Sequence, residues 1–258
     1  MAQNIYDDPA FFSNYTQLDR QVRGLDGAPE WPRLRSFLPE IAGTSILDLG
    51  CGFGWFARWA REHGAVLVTG IDISQNMLDT ARKMTAEEDA KEGGGSPRGT
   101  IAYQQADLES LKLPDEAAQS YDLVFSSLAL HYLEHLPELM TEVHRVLKPG
   151  GKFVFNVEHP IYTAPSKPSI VIEPETDRWY WPLDDYQVEG LRTTNWLAEG
   201  VRKQHRTMAT YINLLLRQGF ELTHLDEWCP TQADLERKPK WKSNIVRPTF
   251  LLVAAAKK

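Results

Sequence analysis

The sequence predicts an α/β three-layer sandwich: a seven-stranded, mostly parallel sheet with an antiparallel last strand and a lid inserted after the fifth strand. Three observations predict it. Short apolar, β-rich runs alternate with segments of helical periodicity, which is the pattern of a parallel sheet covered on both faces. A glycine cluster, Asp48-Leu-Gly-Cys-Gly-Phe-Gly54, falls directly between the first such run and the first regular helix. One stretch of 47 residues, 158–204, breaks the rhythm and is rich in aromatic residues and proline.

The elements follow in order. Residues 1–43 form a helical cover, with a short helix expected around Pro9–Gln21. Thr44–Gly50 is the first strand, and Phe53–His63 is a helix with Phe56, Trp59 and Ala60 on one face, ended by Gly64. Ala65–Ile71 is the second strand and Ser74–Met84 a helix, with Ser74 at its N-cap. Glu87–Thr100, with its Gly93-Gly94-Gly95-Ser96-Pro97 string, reads as a solvated, mobile loop. Ile101–Gln105 and Tyr121–Ser126 are strands three and four, and Leu136–Leu147 is a helix closed by Lys148-Pro-Gly-Gly151. Lys152–Val157 is the fifth strand. Thr207–Gln218 is a helix, Phe220–Trp228 and Arg247–Ala255 are the last two strands, and no helix is expected between that pair, so they are expected to run antiparallel. The organisation is one domain over 1–258: cover 1–43, core 44–157, lid 158–204 and the end of the core 205–258. Proline-rich loops this long are functional or disordered, and three tryptophans (Trp179, Trp181, Trp196) argue for a packed lid over the carboxyl ends of the strands.

Composition bounds the function. The 258 residues hold 28 Lys+Arg and 35 Asp+Glu, a net charge of −7, with 42% hydrophobic and 24% charged residues. A chain of this length buries about 70–75% of its unfolded surface and needs no metal or disulfide to hold a core. Acidic balance speaks against a nucleic-acid partner, which demands excess cations. Two cysteines, Cys51 and Cys229, make neither a disulfide framework nor a zinc site, and no histidine pair has metal-ligand spacing, so no metal is expected. With no signal-like start and no run of about 20 apolar residues, the expected place is the cytoplasm, away from membranes. Nothing in the sequence fixes the oligomeric state.

The glycines at 50, 52 and 54 let backbone N–H groups approach a ligand closely. Asp72 closes the second strand 20 residues after Gly52, where a carboxylate can accept both hydroxyls of a ribose. Asp107 follows the third strand and Asp48 ends the first. An anion at position 48 would repel a pyrophosphate but welcome a ligand carrying an amino group and a sulfonium. The strings ILDLGCGFG (46–54), GIDIS (70–74), QADLESL (105–111), YDLVFSSLALHYL (121–133) and LKPGGKFVF (147–155) together resemble the class I S-adenosylmethionine-dependent methyltransferases, a Rossmann-like fold with a reversed seventh strand. Within them the chain is most similar to the type 11, ubiquinone/menaquinone-like small-molecule branch. It is also similar to bacterial members of uncharacterised substrate that share EHPIY, EGxRxTxW and EWCPT.

That resemblance implies S-adenosylmethionine as cofactor, S-adenosylhomocysteine as product and a small-molecule methyl acceptor. It assigns Asp48, Gly50, Cys51 and Gly52 to the methionine end, Asp72 to the ribose, Ile73 and Met77 to the neighbourhood of the adenine, and Asp107 with Leu108 to its flank. Cys51 reads as a small filler of the glycine turn. The resemblance also places Ser126 near the amino-acid moiety through its backbone and Tyr15 as an aromatic closing the site.

His131 and His159 follow strands four and five at the carboxyl edge and are the candidate general bases; a hydrogen-bonded structural role is the competing reading for each. Glu158 has similar standing, and His205 faces the pocket or caps the next helix. Among the lid tryptophans, Trp196 is expected in the lid's own small core, with Trp179 and Trp181 left open as an aromatic box. Arg192, Arg202 and Lys203 are candidates to receive an acidic substrate. Phe125-Ser-Ser-Leu128 stands where base and amide N-methylating enzymes carry Asn/Asp-Pro-Pro-Tyr, which disfavours an RNA methyltransferase. A nicotinamide-dependent oxidoreductase and a non-catalytic cofactor-binding protein remain as alternatives.

Overall fold

The computed structural model describes residues 3–91 and 99–258. The chain enters through three short helices, α1 (Pro9–Tyr15), α2 (Asp19–Val22) and α3 (Trp31–Arg35). Strand β1 (Ser45–Leu49) then leads into α4 (Trp55–Glu62), β2 (Leu67–Asp72), α5 (Gln75–Lys91), β3 (Thr100–Gln105) and β4 (Tyr121–Ser127). Helix α6 (Leu136–Val146) precedes β5 (Leu147–Glu158). The insertion holds α7 (Pro160–Thr163) and two hairpins, β6 (Val171–Glu173) with β7 (Arg178–Tyr180), and β8 (Gly190–Trp196) with β9 (Ala198–His205). The chain closes with α8 (Met208–Arg217), β10 (Phe220–Glu227), α9 (Gln232–Arg237), α10 (Ser243–Val246) and β11 (Phe250–Lys257).

The main sheet has seven strands in the order β10-β11-β5-β4-β1-β2-β3. Pairs β1–β2, β2–β3, β1–β4 and β4–β5 are parallel, and β11 runs antiparallel to both neighbours. Chain order reverses between β1 and β4, so their carboxyl ends open the crevice where ligands bind in such sheets. One face of the sheet is covered by α6 and α8 through Leu139, Met140, Val143 and Leu215; the other by α3 and α4 through Trp31, Phe56 and Ala60. Burial on both faces explains why the central strands read as continuous apolar runs.

Several expectations are corrected. Helix α5 continues to Lys91, so Glu87–Lys91 is helix rather than loop, while 92–98 lie outside the described residues. Lys148-Pro-Gly-Gly151 belongs to β5, where the β4–β5 register shifts between Tyr121 and Leu123. The N-terminal helix is split into α1 and α2. Helices α9 and α10 do stand between the last two strands, although those strands pair antiparallel as expected. The α9 start was readable: Thr231 and Asp234 form a capping box. The lid is not aperiodic. Its β8 strand alternates half-buried and exposed residues, hidden in the sequence because Arg192, Thr194 and Trp196 on the inner side are not uniformly apolar.

Candidate functional site

The turn after β1 is built by glycine. Gly50, Gly52 and Gly54 hold φ of +73°, +53° and +68°, in the left-handed region that a side chain disfavours. A Cβ on Gly50 would stand 2.4 Å from the Cβ of Ala129, and one on Gly54 2.2 Å from the Tyr103 hydroxyl. The N–H groups of Gly50 and Cys51 donate to the Ile71 carbonyl at 2.8 and 3.0 Å, tying the turn to β2. Asp72, at the end of β2, accepts from Gly52 N–H at 2.8 Å and from Ser74 N–H at 2.9 Å. Asp48 is buried, and its Oδ2 has no hydrogen-bond partner among the described residues. Asp107 caps the following 3-10 turn by accepting from Glu109 N–H at 3.0 Å.

These groups open into a cavity of about 630 Å³. Its walls include Tyr15, Asp48, Gly50, Cys51, Gly52, Asp72, Ile73, Met77, Asp107 and Leu108, so the structure brings ten of the eleven sequence-predicted cofactor residues to one space. Burial, reinforced by the charge of Asp72, holds the Asp48 carboxyl well above the usual carboxylate range. Burial also raises Asp72, against the pull of the backbone N–H groups of Ser74, Gly52 and Ile73. Two carboxyls taken out of water side by side, one with an unsatisfied oxygen, form an environment that a bound cation relieves.

The other half of the cavity is aromatic. Tyr6 contacts Tyr15 edge-on at 5.1 Å and Tyr132 at 6.1 Å, and Tyr15 meets Trp196 at 6.3 Å. Burial pushes the Tyr15 hydroxyl up to about 12, so these phenols stay neutral. Arg20 and Glu30 line the same half and pair at 2.8 Å, and Glu30 also accepts from Asn156 Nδ2 at 3.1 Å. The N-terminal segment is tied to the β8–β9 hairpin beside this half. Gln3 exchanges hydrogen bonds with Gly200 and Arg202 of the β8–β9 hairpin at 3.0 and 2.9 Å, and Asn14 donates to Leu197 at 3.1 Å. Asp7 accepts from Ser74 Oγ and from Asn76 N–H at the start of α5. Burial opposes that charge, and the hydrogen bonds from Ser74, Asn76 and Asn4 outweigh it, leaving Asp7 below its ordinary range.

The remaining predicted residues fall elsewhere. Ser126 is fully buried in the sheet and donates to the Leu49 carbonyl at 2.8 Å; the wall beside the glycine turn is made by Ser127, Leu128 and Ala129. His159 is not in the cavity wall. It caps α7, its Nδ1 accepting from Ile161 N–H at 3.1 Å, while Nε2 meets Glu227 at 2.7 Å, so both nitrogens are engaged away from the site. His131 does line the cavity, but its Nδ1 accepts from Glu158 N–H at 3.4 Å, which leaves Nε2 protonated in the neutral ring. Burial, with the nearby cations Lys203 and Arg206, drives its pKa well below the ordinary histidine value. In this arrangement His131 presents a donor to the cavity, whereas His159, with both nitrogens engaged, lies outside its wall. His205 is held by Thr163 and the Tyr186 carbonyl, and Thr207 caps α8 instead.

Trp196 lines the cavity rather than a separate lid core, with the ammonium of Lys203 5.0 Å above its ring. Trp181 stacks with Tyr162, and the Arg247 guanidinium lies 4.4 Å from the Tyr162 ring and 4.7 Å from the Trp181 ring. Lys203 is neutralised by Glu158 at 2.6 Å, and Arg192 is spent on the Ala164 and Val188 carbonyls. Sequence reasoning missed Tyr6, Tyr132, Arg20 and Glu30. The aromatic density of the first 31 residues was the one signal that the cover contributes to the site. Among the described residues no group of three or more His, Cys, Asp or Glu could hold a metal ion, and no helix is long and apolar enough to cross a membrane.

Residues 47–155 match a family model described as a methyltransferase domain. An S-adenosylmethionine dependent methyltransferase from Mesorhizobium loti is similar at 50% identity, covering 91% of this chain and all of that one, with a TM-score of 0.80. A putative S-adenosylmethionine dependent methyltransferase from Listeria monocytogenes is similar at 37% identity over 90% of this chain and 99% of that one, with a TM-score of 0.74. An uncharacterized Haemophilus influenzae protein is 32% identical over 98% of this chain and 97% of its own length. The unsatisfied Asp48 oxygen suits a ligand with an ammonium, and Asp72 suits vicinal hydroxyls.

Proposed function

The chain belongs to the S-adenosylmethionine-dependent methyltransferases, and from that premise we propose that it carries the cofactor's methyl group to a small, planar acceptor seated in the aromatic half of the cavity. The observation that carries this reading is one cavity whose acidic half, at the β1–β4 switch point, is continuous with an aromatic half bordered by the N-terminal segment and the β8–β9 hairpin. When bound, the cofactor supplies an electrophilic methyl on a sulfonium that leaves as a neutral thioether.

Asp48 would accept from the ammonium of the methionine end, and Asp72 would hold the ribose hydroxyls through the oxygens already fixed by Gly52 and Ser74. Ile73, Met77 and Leu108 would supply apolar contact for the adenine, with Asp107 at its polar edge. Tyr6, Tyr15, Tyr132 and Trp196 would stack around the acceptor and exclude water, so that alignment supplies most of the rate. His131 would orient the acceptor by donating from Nε2 rather than by taking its proton.

The test is incubation of the purified protein with methyl-labelled S-adenosylmethionine and an extract of soluble bacterial metabolites. A product heavier than its precursor by one labelled methyl in place of one hydrogen, formed by the wild type and not by Asp72→Ala, is expected. Saturable cofactor binding with no methylated product from the extract would contradict catalysis and favour a protein that only binds the cofactor.

A further inference from the structure

The two halves of the cavity differ in charge in a way the cofactor does not explain. Its cofactor half carries Asp48, Asp72 and Asp107 on the wall. Its far half carries Arg20, Lys238 and Lys240 against Asp19 and Glu30, and Glu158 is cancelled by Lys203 at 2.6 Å. We infer that the methyl acceptor bears an anionic group, a carboxylate or a phosphate, and that the guanidinium of Arg20 anchors it. This inference rests on the methyl-transfer reading, because it names the substrate class of the same cavity.

Arg20 is half-buried, its side chain 21% exposed, and only its Nη2 is engaged, donating to Glu30 Oε1 at 2.8 Å. Its Nε and Nη1 have no hydrogen-bond partner among the described residues, and Arg20 lines the cavity. A guanidinium offers its donors in a planar fork, the shape that matches the two oxygens of a carboxylate or phosphate. The fork is held in place. Glu30 is 1% exposed and is itself gripped by Asn156, fully buried on β5, so Arg20 is braced from the sheet. The Phe250 ring lies 5.8 Å from its guanidinium carbon. A braced donor loses little freedom on binding.

The charges around it favour an anion. Lys238 is taken up by Asp19, whereas Lys240 is exposed at the cavity and makes no ion pair among the described residues. Arg20 is balanced by Glu30 Oε1 and Lys238 by Asp19, so the surplus cation of that half is Lys240, while Glu30 Oε2 is buried with no hydrogen-bond partner among the described residues. The carboxylates of the opposite half repel an acidic group, so an anionic acceptor is oriented with its acid on Arg20 and its other end toward the cofactor. Trp31, Trp241 and Phe250 line the same region and suit a flat, apolar body between the two ends.

The test uses the protein saturated with S-adenosylhomocysteine and follows its tryptophan fluorescence during titration with benzoate, phenyl phosphate, benzamide and benzylamine. At least one of the two anions is expected to bind saturably, at least tenfold more tightly than neutral benzamide. The tighter of the two tells carboxylate from phosphate. Arg20→Gln is expected to weaken that binding at least tenfold while homocysteine-cofactor affinity stays within threefold, and Lys240→Gln to weaken it about twofold. Equal binding of benzamide, tighter binding of benzylamine, an Arg20→Gln protein that binds the anion like the wild type, or binding of no probe would each overturn the assignment. The comparison of benzoate with benzamide needs no variant, so it decides the matter even if Arg20→Gln does not fold. Failure to bind S-adenosylhomocysteine at all would instead remove the methyl-transfer reading beneath it.

Discussion

The acidic and aromatic halves of the cavity are built by opposite means. In the acidic half, Asp48, the glycine turn and Asp72 lie within 25 residues of one another, and backbone N–H groups of Gly52 and Ser74 fix the carboxylate. In the aromatic half the contacts that matter span the chain: Glu30 to Asn156 across 126 residues, Gln3 to Gly200 across 197, and Trp228 to Pro29 across 199. One half is a local property of a strand–turn–helix, and the other exists only once the cover, lid and last strands have assembled. The difference teaches which half is free to vary: the local half can stay constant while the long-range half changes with every side chain that reaches it.

The largest effects are expected where the local half depends on backbone shape. Gly50→Ala puts a methyl 2.4 Å from Ala129 Cβ at a φ of +73°, which should cost about 1–3 kcal/mol and remove cofactor binding at accessible concentrations. Gly52→Ala meets no atom within 4 Å despite its φ of +53°, so it should remain folded and lose less stability. Denaturant melts of the two variants check this, and equal tolerance would break the claim that the turn is sterically fixed.

Asp48→Asn separates stability from function in the same half. The folded carboxyl has a raised pKa, so the stability it contributes is full below about pH 4, the unfolded value, and is lost as pH rises through the folded value. At pH 7 the buried carboxyl therefore costs stability, and without ligand the variant should melt about 2–4 °C higher, the shift ~1 kcal/mol gives in a chain of this size. It should also bind S-adenosylhomocysteine about tenfold more weakly. A lower melting point without ligand would contradict the buried, unpaired assignment.

Trp196→Ala probes the long-range half, and kcat/KM for the acceptor is expected to fall about tenfold while cofactor affinity stays within about threefold. Loss of cofactor affinity instead would merge the two halves. The smallest effect is expected at His131. Its folded pKa is depressed, so stability tied to it is full above about pH 6.5 and lost as pH falls through the folded value. His131→Asn should flatten that acid limb and slow turnover less than about tenfold; a general base would cost about 10²–10⁴.

The same contrast explains what was legible in the sequence. The sheet, its reversed last strand and the acidic wall of the cavity were readable because each depends on short-range chemistry: strand runs, left-handed glycines, a carboxylate at a strand end. Ser126 turns its hydroxyl to the Leu49 carbonyl while the next residue, Ser127, lines the cavity, because both faces of β4 are buried and an apolar run does not reveal which side chain faces which way. His159 sits at the expected end of β5, yet Pro160 begins a helix there and turns the imidazole into its cap. Arg192, Arg202 and Lys203 were the visible cations of the lid, but Lys203 meets Glu158 and Arg192 meets backbone carbonyls, while Arg20 from the cover reaches the cavity. Those partners are set by tertiary contacts that no local pattern records.

The most direct test is calorimetric titration of Asp72→Ala and Arg20→Gln with S-adenosylhomocysteine beside the wild type. Two separable halves predict one-site binding by the wild type, a loss of about a hundredfold or more in Asp72→Ala, roughly 2.7 kcal/mol, and an affinity within threefold of wild type in Arg20→Gln. Comparable losses in both variants, or intact binding in Asp72→Ala, would contradict the division of the cavity into a cofactor half and an acceptor half.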